Sequence, residues 1–281
     1  NLETMFNRVT IIGLGLIGGS LGLAIKEKRI AREVIGVSRR KSTIKRALSI
    51  KAVDCATLDV KKGVKGADLI IFATPVLKII SIAKTISDVL EEGVIVTDAG
   101  STKERIVKDI ESILPDGISF KGSHPLAGSE KSGVQYADKD LFKGAWCILT
   151  KSPRTDPKAL KKIEKFWRRL GMKVKVTSPK RHDKIVSALS HLPHAVSVAL
   201  TNACRGKDLH LAAGGFKDTT RIASGSPELW KDIFVTNKKN ILRDISTLEK
   251  ELSKIKAALK NNDSARLLRL FNRAKDTRDI L

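Results

Sequence analysis

The chain has 281 residues, enough for one large domain or two of ordinary size, and 42% of them are hydrophobic, which supports a packed core. Lys and Arg total 53 against 30 Asp and Glu, a formal charge of +23 with a single Tyr in the chain. Without aromatic residues interleaved among the basic ones, a nucleic-acid stacking platform is not expected, and the charge suits acidic small molecules or a solvated surface. No apolar run reaches the roughly 18 residues of a membrane span. No signal peptide is visible ahead of the first strand, and the separated Cys55, Cys147 and Cys204 fit reduced thiols of a cytoplasmic protein.

The first predicted strand, 8–13, ends in Gly13-x-Gly15-x-x-Gly18, and a helix is predicted over 17–29, followed by a second strand at 33–38. Strand, Gly turn, helix and strand together read as a dinucleotide-binding unit. Gly13 makes the tight turn, Gly15 admits a pyrophosphate, and Gly18 lets the helix pack close. The helix start, with Leu16 and Ile17, offers free N–H groups to phosphate oxygens. A basic helix at 42–50 follows, then a strand at 68–73 closed by Thr74-Pro75, a helix at 76–90, a strand at 94–98 ending in Asp98, and a helix at 103–113. Strands near 119–123 and 145–150 flank a loop that starts at His124, and a helix at 157–170 leads to a last strand at 172–177. Continuous apolar strands alternating with helices predict a doubly wound parallel α/β sheet of Rossmann type.

Beyond Pro179 the pattern is helical to Leu281. The expected division is a dinucleotide-binding domain at 1–178 and an all-helical domain at 179–281 for substrate binding and dimerisation. In one long predicted helix, 227–261, Ile241, Ile245, Leu248, Leu252, Ile255 and Leu259 are spaced 4, 3, 4, 3, 4. That is an a/d seam suited to a partner helix, perforce either in this chain or in a second copy.

Where an NAD-binding strand two would end in Asp or Glu, this chain reads Val37-Ser38-Arg39-Arg40. Ser38 can hydrogen-bond a phosphate, and Arg39 and Arg40 can pair with it. This favours NADP and leaves NAD open. Thr74, Pro75 and Asp98, at the carboxyl ends of later strands, are further candidates for the cofactor cleft.

Four polar clusters remain: Asp98-Ala99-Gly100-Ser101-Thr102-Lys103, Ser123-His124-Pro125, Ser190-His191-Leu192-Pro193-His194, and Phe216-Lys217-Asp218-Thr219-Thr220-Arg221. Together with GLGLIGGS at 13–20, SHPLAGSE at 123–130 and SPELWKDI at 226–233, they make the chain resemble the prephenate/arogenate dehydrogenase family of tyrosine biosynthesis. Another Rossmann dehydrogenase with a helical domain, acting on a small carboxylate, is the alternative; such proteins are not expected to carry both HPxxG and SHLPH.

The resemblance implies an oxidative decarboxylation. The cofactor takes hydride from the ring carbon bearing the hydroxyl, a base takes the hydroxyl proton, and carbon dioxide leaves the opposite carbon. His124 matches the family's catalytic base, a task that suits a neutral imidazole. Ser101 matches a Ser bonded to that His and to the substrate hydroxyl. His191 and Arg221 match substrate-binding positions, and Glu130 and Asp218 fall in matching motifs. The resemblance is to a monofunctional form. His194, Trp230 and Asp232 read as packing residues, and His182-Asp183 lacks the two further ligands of a metal site.

Overall fold

The computed structural model describes residues 3–129, 131–204 and 206–280. The first half alternates β1 (Phe6–Ile12), α1 (Leu16–Glu27), β2 (Ala31–Val37), α2 (Lys41–Ser49), β3 (Cys55–Thr57), α3 (Val60–Val64), β4 (Leu69–Phe72), α4 (Val76–Ile86), β5 (Ile95–Asp98), α5 (Glu104–Ile113) and β6 (Ser119–Lys121). These six strands form one sheet in the order β3-β2-β1-β4-β5-β6, and every pairing is parallel. Successive side chains on a strand point to opposite faces. Accordingly Val9, Ile11, Leu69 and Ile71 join one hydrophobic cluster, while Ile12, Ile70 and Phe72 join the other. Both faces are covered, so the strands read as unbroken apolar runs rather than alternating ones.

The expected single strand at 119–123 is broken. β6 stops at Lys121, and β7 (Ser123–Pro125) belongs to a second, three-stranded sheet, antiparallel to β8 (Trp146–Thr150), which pairs in parallel with β9 (Lys173–Thr177). Gly122 permits the switch. Its carbonyl accepts the Thr150 N–H at 2.8 Å, and a Cβ on it would meet the Thr150 hydroxyl at 2.4 Å. Between β8 and β9, α6 (Pro157–Arg169) buries Phe166 and Trp167 in the same cluster as α1. The Trp167 indole N–H donates to Ser123 Oγ at 3.0 Å, and Thr97 Oγ1 lies 2.7 Å from the same oxygen. Two elements of the scaffold thus grip the residue just before His124.

The helical part comprises α7 (Pro179–Val186), α8 (Leu192–Ala203), α9 (Gly214–Thr220), α10 (Pro227–Thr236), α11 (Lys238–Lys260) and α12 (Ser264–Asp279). Between α7 and α8 the chain makes a π turn over Ser187–His191. Pro193 explains it: a proline inside a continuous helix has no N–H to donate and its ring collides with the carbonyl one turn back, so the turn widens. The predicted helix over 227–261 is two helices, parted at Asn237. The side-chain amide of Asn237 donates to the Asp183 carbonyl at 2.8 Å, which accounts for the break. Among the described residues no helix is long and apolar enough to cross a membrane.

Candidate functional site

The carboxyl ends of β1, β2 and β4 open on one cleft of about 950 Å³. Gly13, Gly15, Ser38, Arg39, Arg40, Thr74 and Pro75 all line it. Its centre lies between β1 and β4, where the strand order reverses, the position at which doubly wound sheets bind ligands. Gly13 turns with φ +102°, a conformation that disfavours side chains, and a Cβ on it would meet the Ala73 carbonyl oxygen at 2.6 Å. Gly18 is buried under the turn, where a Cβ would collide with the Gly13 carbonyl. A Cβ on Gly15 would meet nothing within 4 Å, and as the N-cap of α1 it leaves the helix's first N–H groups without a side-chain partner. Leu16 and Ile17 begin that helix, and Ile17 packs against the core. The Thr74 hydroxyl is buried without a hydrogen-bond partner among the described residues. Glycine turn, bare helix start and orphaned hydroxyl are the features a pyrophosphate would satisfy. Arg46, Ser42 and Thr43 of α2 add to the polar wall beside Ser38.

Asp98 is placed differently from the expectation. It is fully buried and outside the described lining of the cleft, with its carboxylate bonded to the Lys103 ammonium, the Gly100 N–H (2.9 Å) and the Ser123 N–H (3.0 Å). Three donors occupy three of the carboxylate's roughly four acceptor sites, and burial keeps the fourth from a ribose in the cleft.

Next to this pair, three side chains form a chain of hydrogen bonds. His124 Nδ1 lies 2.9 Å from His182 Nε2, and His182 Nδ1 lies 2.7 Å from Asp183 Oδ1. Asp183 also accepts the backbone N–H groups of Lys103 (2.7 Å) and Glu104 (2.9 Å), which sets the helical part against the loop after β5. The direction of the chain follows from its end. The carboxylate accepts, so His182 carries its proton on Nδ1 and accepts at Nε2; His124 then carries its proton on Nδ1 and leaves Nε2 as a free lone pair. Burial, followed by the neighbouring His182, Lys103 and His191, holds His124 well below 6.5. Burial likewise holds His182 well below 6.5. Burial pushes Asp183 up, and its two backbone N–H bonds and Lys103 pull it back toward the ionised form.

His191 is set the opposite way. Its Nδ1 lies 3.1 Å from the Asn237 amide nitrogen, a donor whose orientation is fixed because Asn240 donates to Asn237 Oδ1 at 2.7 Å. His191 therefore keeps its proton on Nε2 and presents a donor there, and burial pushes it down to about 4. His191 meets the Trp230 ring edge-on at 6.1 Å, and His194 stacks flat on Trp230 at 3.5 Å. The Nδ1 of His194 and the hydroxyl of Ser197 are buried without partners among the described residues.

Two further placements depart from the sequence reading. Ser101 sits half-buried on the loop after β5, and the Nδ1 of His124 is bonded to His182 rather than to Ser101. Arg221 and Asp218 are solvent-exposed, on the short helical turn after α9 and on α9 itself, outside the buried histidine cluster. Glu130 lies outside the described residues.

The sequence profile described as the prephenate dehydrogenase nucleotide-binding domain matches residues 21–176, and that of the prephenate dehydrogenase dimerization domain matches 178–273. The chain belongs to the prephenate dehydrogenase family. It is 36% identical to a prephenate dehydrogenase of Bacillus subtilis over 287 aligned residues, spanning 100% of this chain and 77% of that protein. The structure of the prephenate dehydrogenase of Aquifex aeolicus, in complex with hydroxyphenyl propionate and NAD+, superposes with a TM-score of 0.92 at 34% identity, covering 99% of each chain. The arogenate dehydrogenase of Synechocystis superposes with a TM-score of 0.83 at 32% identity, covering 97% of this chain and 99% of that one. The activity that comes with the family is NAD(P)-dependent oxidative decarboxylation in tyrosine biosynthesis. The cofactor is a nicotinamide dinucleotide.

Within this family frame, His182, Asp183 and Asn237 are the residues sequence reasoning missed. In the sequence His182-Asp183 reads only as an insufficient metal pair. The signal that could have found them is their place just after the Pro179 boundary, on the first helix facing the sheet edge. Nothing in the sequence around Asn237 marks it.

Proposed function

We propose that His124 is the base of an NAD(P)-dependent dehydrogenase that converts prephenate or arogenate to its aromatic product. The observation that carries this reading is the hydrogen-bond chain His124–His182–Asp183, which leaves one ring nitrogen, Nε2, unprotonated in a buried place. The nicotinamide, when bound, supplies the hydride acceptor. Nε2 takes the proton of the ring hydroxyl as the carbon beneath it is oxidised. The resulting imidazolium donates from Nδ1 to His182, with Asp183 stabilising the positive charge from the far end. When the ring carboxylate departs as carbon dioxide, its bonding electrons enter the ring and the proton returns to the phenolic oxygen. Atoms and charge then balance with one hydride transferred and no net proton released.

Ser101, on the loop whose Lys103 N–H donates to Asp183, is assigned to the substrate hydroxyl, and the Nε2–H of His191 to a substrate oxygen. His194 and Trp230 are assigned to the substrate wall, because the buried Nδ1 of His194 has no hydrogen-bond partner among the described residues. Arg221 serves a substrate carboxylate, and Asp218 and Glu130 are assigned to ordering the site. Ser38, Arg39 and Arg40, with Arg46 behind them, favour a 2′-phosphate and hence NADP over NAD. NAD, the cofactor in the Aquifex complex, remains the alternative. Helical residues 179–281 form the substrate and dimer domain, and two copies associate through the uncovered end of the α11 seam.

The test is production of reduced nicotinamide by the purified protein with each ring substrate and each cofactor. Turnover of at least one substrate with faster use of NADP supports the reading. No turnover with either substrate under either cofactor removes it.

A further inference from the structure

Lys103, the last residue of the DAGSTK motif, has no part in the proposed function, and it is buried with a relative exposure of 0%. Its backbone N–H donates to Asp183 Oδ1 at 2.7 Å, and its ammonium donates to Asp98 Oδ2 and to the Thr102 carbonyl (3.1 Å). Asp98 Oδ1 accepts the N–H of Ser123, the residue before His124. His124 leads to His182, and His182 leads back to Asp183. The bonds close on themselves in a ring: Lys103, Asp98, Ser123, His124, His182, Asp183 and Lys103 again.

Stability alone is a weak explanation for such a pair. Taking two ions out of water costs about as much as their attraction returns, and a well-packed apolar pair of the same volume is often as good. The Asp98–Lys103 pair does two other things. It fixes the backbone entering β7 from one side while the amide of Lys103 fixes Asp183 on the other, so the imidazole of His124 is held at both ends. It also places a cation in the same buried space.

We propose that Lys103, through its buried pair with Asp98, is a positioning residue for the base: it closes the ring that fixes the orientation and tautomer of His124. This rests on His124 being the base. The ionisable groups facing His124 are His182 and Asp183 from α7, His191 from the π turn, Asp98 and Lys103 from the loop after β5, and Cys147 from β8, a thiol that burial pushes well above 9.0. Lys103 is the cation among them, and it opposes a second positive charge on His124.

The test is Lys103→Gln, which keeps a hydrogen-bond donor toward Asp98 and drops the charge, measured beside His124→Asn. In Lys103→Gln, kcat should fall about 10- to 100-fold, the scale of a misplaced reacting group. The Michaelis constants and cofactor affinity should stay unchanged, and the acid limb of the pH profile should move to higher pH. A purely structural role would lower the melting temperature and the active fraction without moving that limb. If Lys103→Gln does not fold, Lys103→Met combined with Asp98→Asn removes both charges together: kcat should fall by the same factor, while the acid limb, with cation and anion both gone, moves less, and a wild-type kcat in that variant overturns the proposal. The wild-type protein gives an independent check: 15N spectra of its histidines should show His124 neutral and protonated on Nδ1 at neutral pH. An unmoved acid limb with wild-type kcat, or an Nε2-protonated His124, overturns the proposal. If His124→Asn itself retains turnover, the base assignment has failed instead, so the two failures are distinguishable.

Discussion

The neutral His182 accepts a bond from His124, and that single contact decides which nitrogen of His124 is the base. Because a base must be unprotonated to act, and burial holds His124 well below 6.5, kcat/KM should stay level on acidification through 6.5 and fall only at lower pH. A pH–rate profile whose acid limb lies at or above 6.5 contradicts this placement. Arg221 is exposed, so its contact with a substrate carboxylate is worth less than a desolvated pair. Arg221→Ala is expected to raise the Michaelis constant of the ring substrate about tenfold, equivalent to about 1.4 kcal/mol, with a smaller change in kcat. Substrate titrations of the variant check it, and an unchanged Michaelis constant makes Arg221 a surface residue. The three histidines show how far single residues can be read in advance. His124 and His191 stand out in the sequence because each sits in a polar motif, and the structure buries both in one cluster. His182 was not, since its importance comes from a contact across 58 positions that no local pattern encodes.

The proposed preference for NADP rests on the turn between β2 and α2. A carboxylate at position 38 would repel a 2′-phosphate and accept from a 2′-hydroxyl, whereas Ser38 beside Arg39 and Arg40 does the reverse. One charge-assisted contact contributes about 1.5–3 kcal/mol, so a preference for NADP of about 10- to 100-fold is expected. Ser38→Asp with Arg39→Ala should move it toward NAD, measured as the ratio of kcat/KM for the two cofactors at saturating ring substrate. Equal or better use of NAD by the wild type makes both arginines solvent-facing charges. In α11 the seam divides: Ile241 is buried within the chain, while Leu252 and Leu259 are 56% and 60% exposed. Leu268 and Phe271 of α12 are also uncovered, at 60% and 57%. Leu252→Glu with Leu259→Glu should therefore yield a folded monomer, read by light scattering, if two copies meet there. A monomeric wild type at micromolar concentration contradicts it. Elements with strong periodicity were legible to within a few residues, the glycine turn and β4 above all. β3 and α3 were not foreseen, because three and five residues are too short to show a period. The breaks at Gly122 and Asn237 depend on tertiary partners, the Thr150 backbone and the Asp183 carbonyl, which outweigh the local preference to continue.

Across the two halves of the chain, the site exists because α7 docks on the loop after β5 and buries His124, His182 and His191 together. That burial couples folding to pH. All three are depressed in the folded protein, so below 6.5 the unfolded chain binds protons that the folded one does not. Their contribution is fully present above 6.5 and is lost as pH falls toward the folded values, at up to about 4 kcal/mol per pH unit for three protons. Denaturant midpoints at a series of pH values should drop steeply below 6.5, and a flat dependence down to about 4 would show the histidines to be open to water. The fold itself was legible from the alternation of apolar strands and helices, while the docking of the helices onto the sheet edge was not, since it depends on Asp183 meeting two backbone amides. The central claim is that this docking makes His124 the base of the dehydrogenase. Turnover of His124→Asn, with cofactor affinity measured on the same sample, tests it most directly. The account predicts a loss of about 10² or more in kcat with cofactor binding unchanged; a variant that keeps kcat within about tenfold of wild type would contradict it.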